Sequence, residues 1–259
     1  MEIKSRAFLL PCIAAIATSV TFAAATVAES LQGVDDRSRA IVTSMGDFLD
    51  KLPQFAFKAE VQYDRTLESG TLVEVHELHD VALKRPGQLR ATVLGEAGLR
   101  AALISKGTAT LVDPASGRYF QCEVPETLGE AVDVLVIDLG LSLPSADFIY
   151  RDAATTLLAD VERSEYLGVV VVDGAPCHHM LFVQEGLEWQ LWVSAGVHPV
   201  PNRISMRYTD RPGAPRFSAS LDWDITSTSY ADSAFTFVAN DTMTAIESIE
   251  ELVGTGGDQ

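Results

Sequence analysis

Positive charge and cysteine are both scarce in this chain. Its 259 residues carry 19 Lys and Arg against 36 Asp and Glu, a formal net charge of −17. Such a surface repels phosphate backbones and anionic headgroups, which argues against nucleic acid or an anionic membrane as an electrostatic partner. Cysteine occurs three times, so neither a disulfide-dense scaffold nor a four-cysteine zinc site is available. The motifs HExxH and GxxxxGK[ST] are absent, and so is a complete nucleophile elbow: Gly140-Leu141-Ser142-Leu143-Pro144 lacks the final glycine. No metal and no cofactor is expected. The paired carboxylates Asp222 and Asp224 flank Trp223 on a strand, and nothing in their setting points to a glycosidase.

One long apolar run is present, and it stands at the start. Lys4 and Arg6 precede an apolar stretch from Ala7 to Phe22, and small residues, Ala23-Ala24-Ala25-Thr26-Val27-Ala28, follow. A basic start, about 16 apolar residues and small side chains at −3 and −1 read as a secretory signal peptide. The run falls short of the ~20 residues needed to span a bilayer. Ala23 and Ala25 suit a cut after Ala25; Thr26 and Ala28 suit a cut after Ala28. Removal takes Glu2, Lys4 and Arg6 and leaves 17 basic residues against 35 acidic. No further stretch reaches transmembrane length, and the mature domain is expected to work outside the cytoplasm. Export permits a disulfide between the remaining cysteines, Cys122 and Cys177. Both also lie in apolar, strand-like surroundings where a free thiol packs as a small hydrophobe.

Periodicity divides the remainder. Residues 34–52 repeat apolar side chains at helical spacing (Ile41, Met45, Phe48, Leu49), with Asp35 or Asp36 as cap and Pro53 as stop. Residues 54–66 alternate, with Phe55, Phe57, Ala59, Val61 and Tyr63 on one face. Further strands are expected over 71–84, 88–94, 99–105, 108–112 and 118–123, joined by short Gly-containing turns. The period then turns helical over 125–141, with Pro125 in the first turn, a break at Leu143-Pro144-Ser145 with Ser145 as a cap, and short helices to 158. Strands return over 167–172, 177–184, 188–194, 202–209 and 217–224. Residues 242–252 read as a terminal helix and 254–259 as a disordered tail. No repeat or linker divides residues 29–253, which predicts one domain.

Consecutive strands on short connections make an antiparallel sheet. The expected class is α+β: one strongly curved, unclosed half β-barrel whose concave face is covered by helices. Ten side chains are candidates to line that concavity: Phe55, Phe57, Val61, Tyr63, Ile204, Met206, Tyr208, Phe217, Leu221 and Trp223. The helices either leave room for a ligand there or fill it as an ordinary core. Trp189 and Trp192 fall on opposite faces. So do His178 and His179, and His76 and His79, so neither histidine pair chelates one ion on a strand.

Four segments together resemble a known family. They are Val81-Ala82-Leu83-Lys84-Arg85-Pro86-Gly87-Gln88-Leu89-Arg90, Leu143-Pro144-Ser145-Ala146-Asp147, Val172-Asp173-Gly174-Ala175-Pro176-Cys177-His178-His179, and Glu188-Trp189-Gln190-Leu191-Trp192-Val193. Pro199-Val200-Pro201-Asn202-Arg203 and Ala219-Ser220-Leu221-Asp222-Trp223 follow the last. In this order they are similar to the predicted periplasmic proteins of the domain-of-unknown-function 2092 family, related to the LolA/LppX-like lipoprotein carriers and lipid-binding proteins. The resemblance implies a half-barrel holding a lipid, an acyl chain or a lipoprotein without catalysis. The alternative is a cell-envelope interaction module with a filled core and a protein partner. N-terminal sequencing of exported protein should find Thr26 or Glu29 first; an intact Met1 would overturn the cleavage.

Overall fold

The computed structural model describes residues 33–139, 146–225 and 230–253. The expected signal peptide, the Leu143-Pro144-Ser145 break with its Ser145 cap, and the tail 254–259 lie outside them.

Helix α1 (Asp36–Lys51) comes first. Asp35 caps it, its Oδ1 accepting from the Ser38 amide at 2.9 Å. Six strands follow: β1 (Gln54–Thr66), β2 (Leu72–Lys84), β3 (Gln88–Gly95), β4 (Gly98–Ser105), β5 (Thr108–Asp113) and β6 (Arg118–Glu123). The helical insert contains α2 (Leu128–Asp133), a wide turn (Val134–Asp138), a 3-10 turn (Ala146–Phe148) and α3 (Ala153–Leu158). Five more strands are β7 (Arg163–Val172), β8 (Ala175–Gln184), β9 (Leu187–Ser194), β10 (Pro201–Tyr208) and β11 (Arg216–Asp224). A 3-10 turn (Asp232–Phe235), β12 (Thr244–Ile246) and α4 (Glu250–Val253) complete the order.

All twelve strands form one curved, unclosed sheet in the order β12-β6-β5-β4-β3-β2-β1-β11-β10-β9-β8-β7. The two expected strand groups meet where β1 pairs with β11, Phe57 opposite Trp223 and Ala59 opposite Leu221. The hairpins follow from turn chemistry. Lys106-Gly107 and Asp173-Gly174 each hold both central residues at positive φ, the conformation that matches strand twist in a two-residue loop.

The alternating residues of β1, β2, β10 and β11 face the concave side. They share one core cluster with Val42, Met45 and Leu49 of α1 and with Leu128, Ala131, Val132, Leu135 and Phe148 of the insert. Each large apolar side chain buried there contributes ~1.5–3 kcal/mol against solvent exposure, before entropy is charged.

Three expectations are corrected. The sheet is mixed, because β12 runs parallel to β6 with Ala245 opposite Tyr119. The predicted helix over 242–252 is therefore a short strand, followed by α4 over its last residues. The helix predicted from Pro125 begins at Leu128, because Leu128 N donates to Pro86 O at 2.8 Å and Thr127 before it is extended. That close passage explains Gly87. A Cβ there would lie 2.0 Å from Glu126 O, so any side chain would push the insert off the β2–β3 turn.

After β11 the chain crosses the convex face. Phe235 is fully buried against Ala56 and Ala82, whose side chains point away from the concave core. Lys84 Nζ donates to Asp232 Oδ1 at 2.6 Å, and Tyr119 meets Phe237 with ring centroids 4.8 Å apart. This strap carries the chain to the β6 edge. Phe235→Ala should cost about 3–5 kcal/mol in urea unfolding. A loss below about 1 kcal/mol would mean that the strap is not part of the cooperative fold.

Candidate functional site

The concave face has a closed part and an open part. Of the ten residues expected to line it, Phe55, Phe57, Val61, Ile204, Met206, Phe217 and Leu221 are buried, none more than 9% exposed. Tyr63, Tyr208 and Trp223 are half-buried against the same cluster. The structure thus brings all ten to one face and packs them with each other and the helices. Trp223 lies against Phe55 and Phe57 with centroids 5.3 and 5.0 Å away, and its indole N–H donates to Pro201 O at 2.6 Å. Trp189 stacks on Phe182 inside the core, whereas Trp192 is half-exposed on the convex face, stacked on His179.

Following the register across β2 to β6 uncovers the open part. The row nearest the insert is Leu83, Leu89, Ile104, Ala109 and Cys122. As far as Ala109 its members are at most 2% exposed, and Cys122 on β6 is half-buried. The next row runs Val81, Ala91, Ala102, Leu111 and Phe120, and after Val81 every member is half-exposed. A third row is polar: His79 and Arg100 flank Val93. The result is an apolar trough floored by Ala91, Ala102, Leu111 and Phe120, walled by the insert on one side and by a polar rim on the other. Half-buried Val134 and Leu139 of the insert pack against the core cluster, and Ile137 between them is 75% exposed. Sequence reasoning did not single out this wing. Its only signal is the alternation Leu89-Ala91-Val93 and Ala102-Ile104, which gives the face but not whether a helix covers it.

The rim is ordered by hydrogen bonds. His79 Nε2 lies 2.9 Å from Glu77 Oε2, and the Tyr63 hydroxyl donates to Glu77 Oε1. The His79 contact, opposed by burial, holds the Glu77 carboxyl below its usual range. An open depression of about 320 Å3 at the far ends of β1 to β3 is lined mainly by side chains of the opposite face, Glu60, Gln62, His76, Leu78 and Leu94, and lies apart from the trough.

The insert is held down by a buried cation. The Arg85 side chain is 6% exposed; its Nη1 donates to Ile149 O at 3.1 Å, and Asp50 Oδ1 lies 3.8 Å from Nη2. Burial and nearby Arg151 lower its pKa, and Asp50 opposes them. Tyr150 OH donates to Asp133 Oδ1 at 2.8 Å, joining the two halves of the insert. Burial raises the Asp147 carboxyl.

The cysteines do not bridge. Cys122 lies on β6 and Cys177 on β8, both are free, and eight strands stand between theirs. At ~4.8 Å per strand the separation is far beyond the ~7 Å Cα limit. Burial raises both thiol pKa values, which keeps them in the unreactive thiol form.

The histidines divide between faces as their spacing requires. His179 stacks on Trp192 and meets Gln190 Oε1 at 2.8 Å; His178 Nδ1 lies 3.0 Å from the Tyr166 hydroxyl. Burial, and then Arg37, lower the His178 pKa from 6.5. The unfolded chain therefore takes up this proton first. Its stabilisation is present above 6.5 and is lost as pH falls from there through the folded value. Thermal unfolding should show stability declining across that window and His178→Phe flattening the decline; an unchanged pH profile would remove His178 as its source.

Comparison with known proteins gives the chain a family. A family model described as "Predicted periplasmic protein (DUF2092)" matches residues 38–248. No curated protein matches the chain. Similar crystal structures include the lipoprotein LppX of Mycobacterium tuberculosis, at 11% identity over 75% of this chain and 99% of that one, with a TM-score of 0.47. LprF of Mycobacterium bovis is 13% identical over 75% and 96%, with a TM-score of 0.40. A LolA superfamily protein of Nitrosomonas europaea is 12% identical over 77% and 97%, with a TM-score of 0.37. The chain belongs to the DUF2092 family of predicted periplasmic proteins.

Proposed function

We propose that this is a non-catalytic periplasmic carrier that binds an acyl chain or similar apolar ligand in the trough on β3 to β6. The observation that carries the reading is the row Ala91, Ala102, Leu111 and Phe120: apolar, concave and half-exposed beside a filled core. Ala91 and Ala102 leave room on the curved sheet for a chain of methylenes, and each methylene buried is worth ~0.8 kcal/mol. The rim of His79, Glu77, Tyr63 and Arg100 supplies hydrogen-bonding groups for a polar head. In this reading the ten packed residues form the rigid floor and end wall, and the insert clasped by Arg85 forms the side. The filled cluster beneath α1 supports a second reading, an envelope module with a protein partner and no ligand.

Displacement of a fluorescent fatty acid tests the proposal. Ala102→Trp should fill the trough and weaken binding at least about tenfold while leaving unfolding nearly unchanged. Leu221→Ala should lower stability by about 2–5 kcal/mol and leave affinity within about threefold. Absence of binding by the unsubstituted protein, with no lipid retained in native mass spectrometry, would favour the module.

A further inference from the structure

Strand β7 ends the sheet. Its inner edge pairs with β8, Val169 opposite His178 and Val171 opposite Pro176. Its outer edge is bridged only at the start, Gly33 beside Arg163, with Ser164 N donating to Gly33 O. From Glu165 to Val172 that edge has no strand partner among the described residues. Exposed edges are usually blunted by lysine, proline, bulges or brevity, and the single bulge of β7 lies before its valine run. Here a bulge at Tyr166/Gly168 is followed by four valines, Val169 to Val172, with no charge among them. Val169 is 53% exposed and Val171 73%, while Val170 is 36% exposed. Neither side of the ribbon is therefore fully covered.

We infer that the β7 edge is a docking site for an extended peptide with an apolar centre and basic ends, which adds to the sheet as a further strand. Two features choose this occupant. The edge presents backbone N–H and C=O groups, which a lipid phase cannot satisfy but a strand can. Its apolar run is bracketed by acids, Glu165 at one end and Asp173 at the other, on a chain of net charge −17. A second copy fits poorly. Laid antiparallel over the same run, Glu165 of each copy faces Val172 of the other beside Asp173, so like charges meet at both ends. A segment with Lys or Arg at its ends reverses both interactions.

The test uses the full-length protein and three labelled peptides in fluorescence anisotropy: KKVTVTVKK, its glutamate-flanked counterpart EEVTVTVEE, and KKVTVTVKK methylated on alternate backbone nitrogens. The basic peptide should bind, the acidic one at least about tenfold more weakly, and the methylated one not measurably. Bound basic peptide should slow amide exchange in Leu167 to Val172. The double variant Val169→Lys with Val171→Lys should lose binding. Because the methylated peptide probes the unsubstituted protein, the result stands even if that variant fails to fold. Equal binding of all three peptides, no binding, protection elsewhere, or β7-mediated dimers that exclude the peptide would each overturn the inference.

Discussion

A twelve-stranded sheet that does not close leaves a concave apolar face that its helices must cover. Here α1 supplies sixteen residues, while α2 and α3 supply six each. That is enough for the middle of the sheet and too little for the whole. The core consequently forms where β1 and β11 join the two halves, under α1 and the insert, and the concave face of β3 to β6 beyond the insert stays half-exposed. The filled floor and the open trough are two outcomes of one shortage of cover.

The remaining contacts serve that arrangement. Gly87 permits the insert to approach the β2–β3 turn, and Arg85 donates to Ile149 and faces Asp50 across 3.8 Å. Asp35 performs the same task at the other end. Burial raises its carboxyl, but bonds from Ser164 and Ser38 outweigh burial and hold it below its usual range. One residue thus caps α1 and ties it to β7, since Ser164 Oγ donates to Asp35 Oδ2 at 2.6 Å. On the convex side the strap bearing Phe235 braces the half of the sheet that the helices leave open. These anchors fix α1 and the insert over the sheet from both ends.

Much of this was legible in the sequence. The strand beginning at Gln54 is marked by its clean alternation, and the hairpin at Asp173-Gly174 by residues that tolerate positive φ. Period two marks the apolar faces that carry Phe55 in β1 and Trp223 in β11, and the β1–β11 register joins them. The candidate site was less legible. Alternation groups Ala91 with Leu89 and Ala102 with Ile104, yet it carries no information on which members of a face a helix reaches. Strand β12 has three residues and no period to detect, and its parallel partner lies over a hundred residues away. The start of α2 at Leu128 depends on a hydrogen bond to Pro86, which local propensity does not contain.

By itself, then, the sequence determined the acidic surface, the strand faces and the family, because each is written in local composition, short-range period or residue order. Only the tertiary structure decided that eight strands separate those of Cys122 and Cys177 and that the aromatic concave residues are packed. It likewise decided that the accessible wing is lined by alanine, leucine and phenylalanine, and that β7 is left as an edge. Those outcomes depend on which strands become neighbours and how far three short helices reach. Both are set by the cost of leaving apolar surface and backbone groups uncovered across the whole sheet.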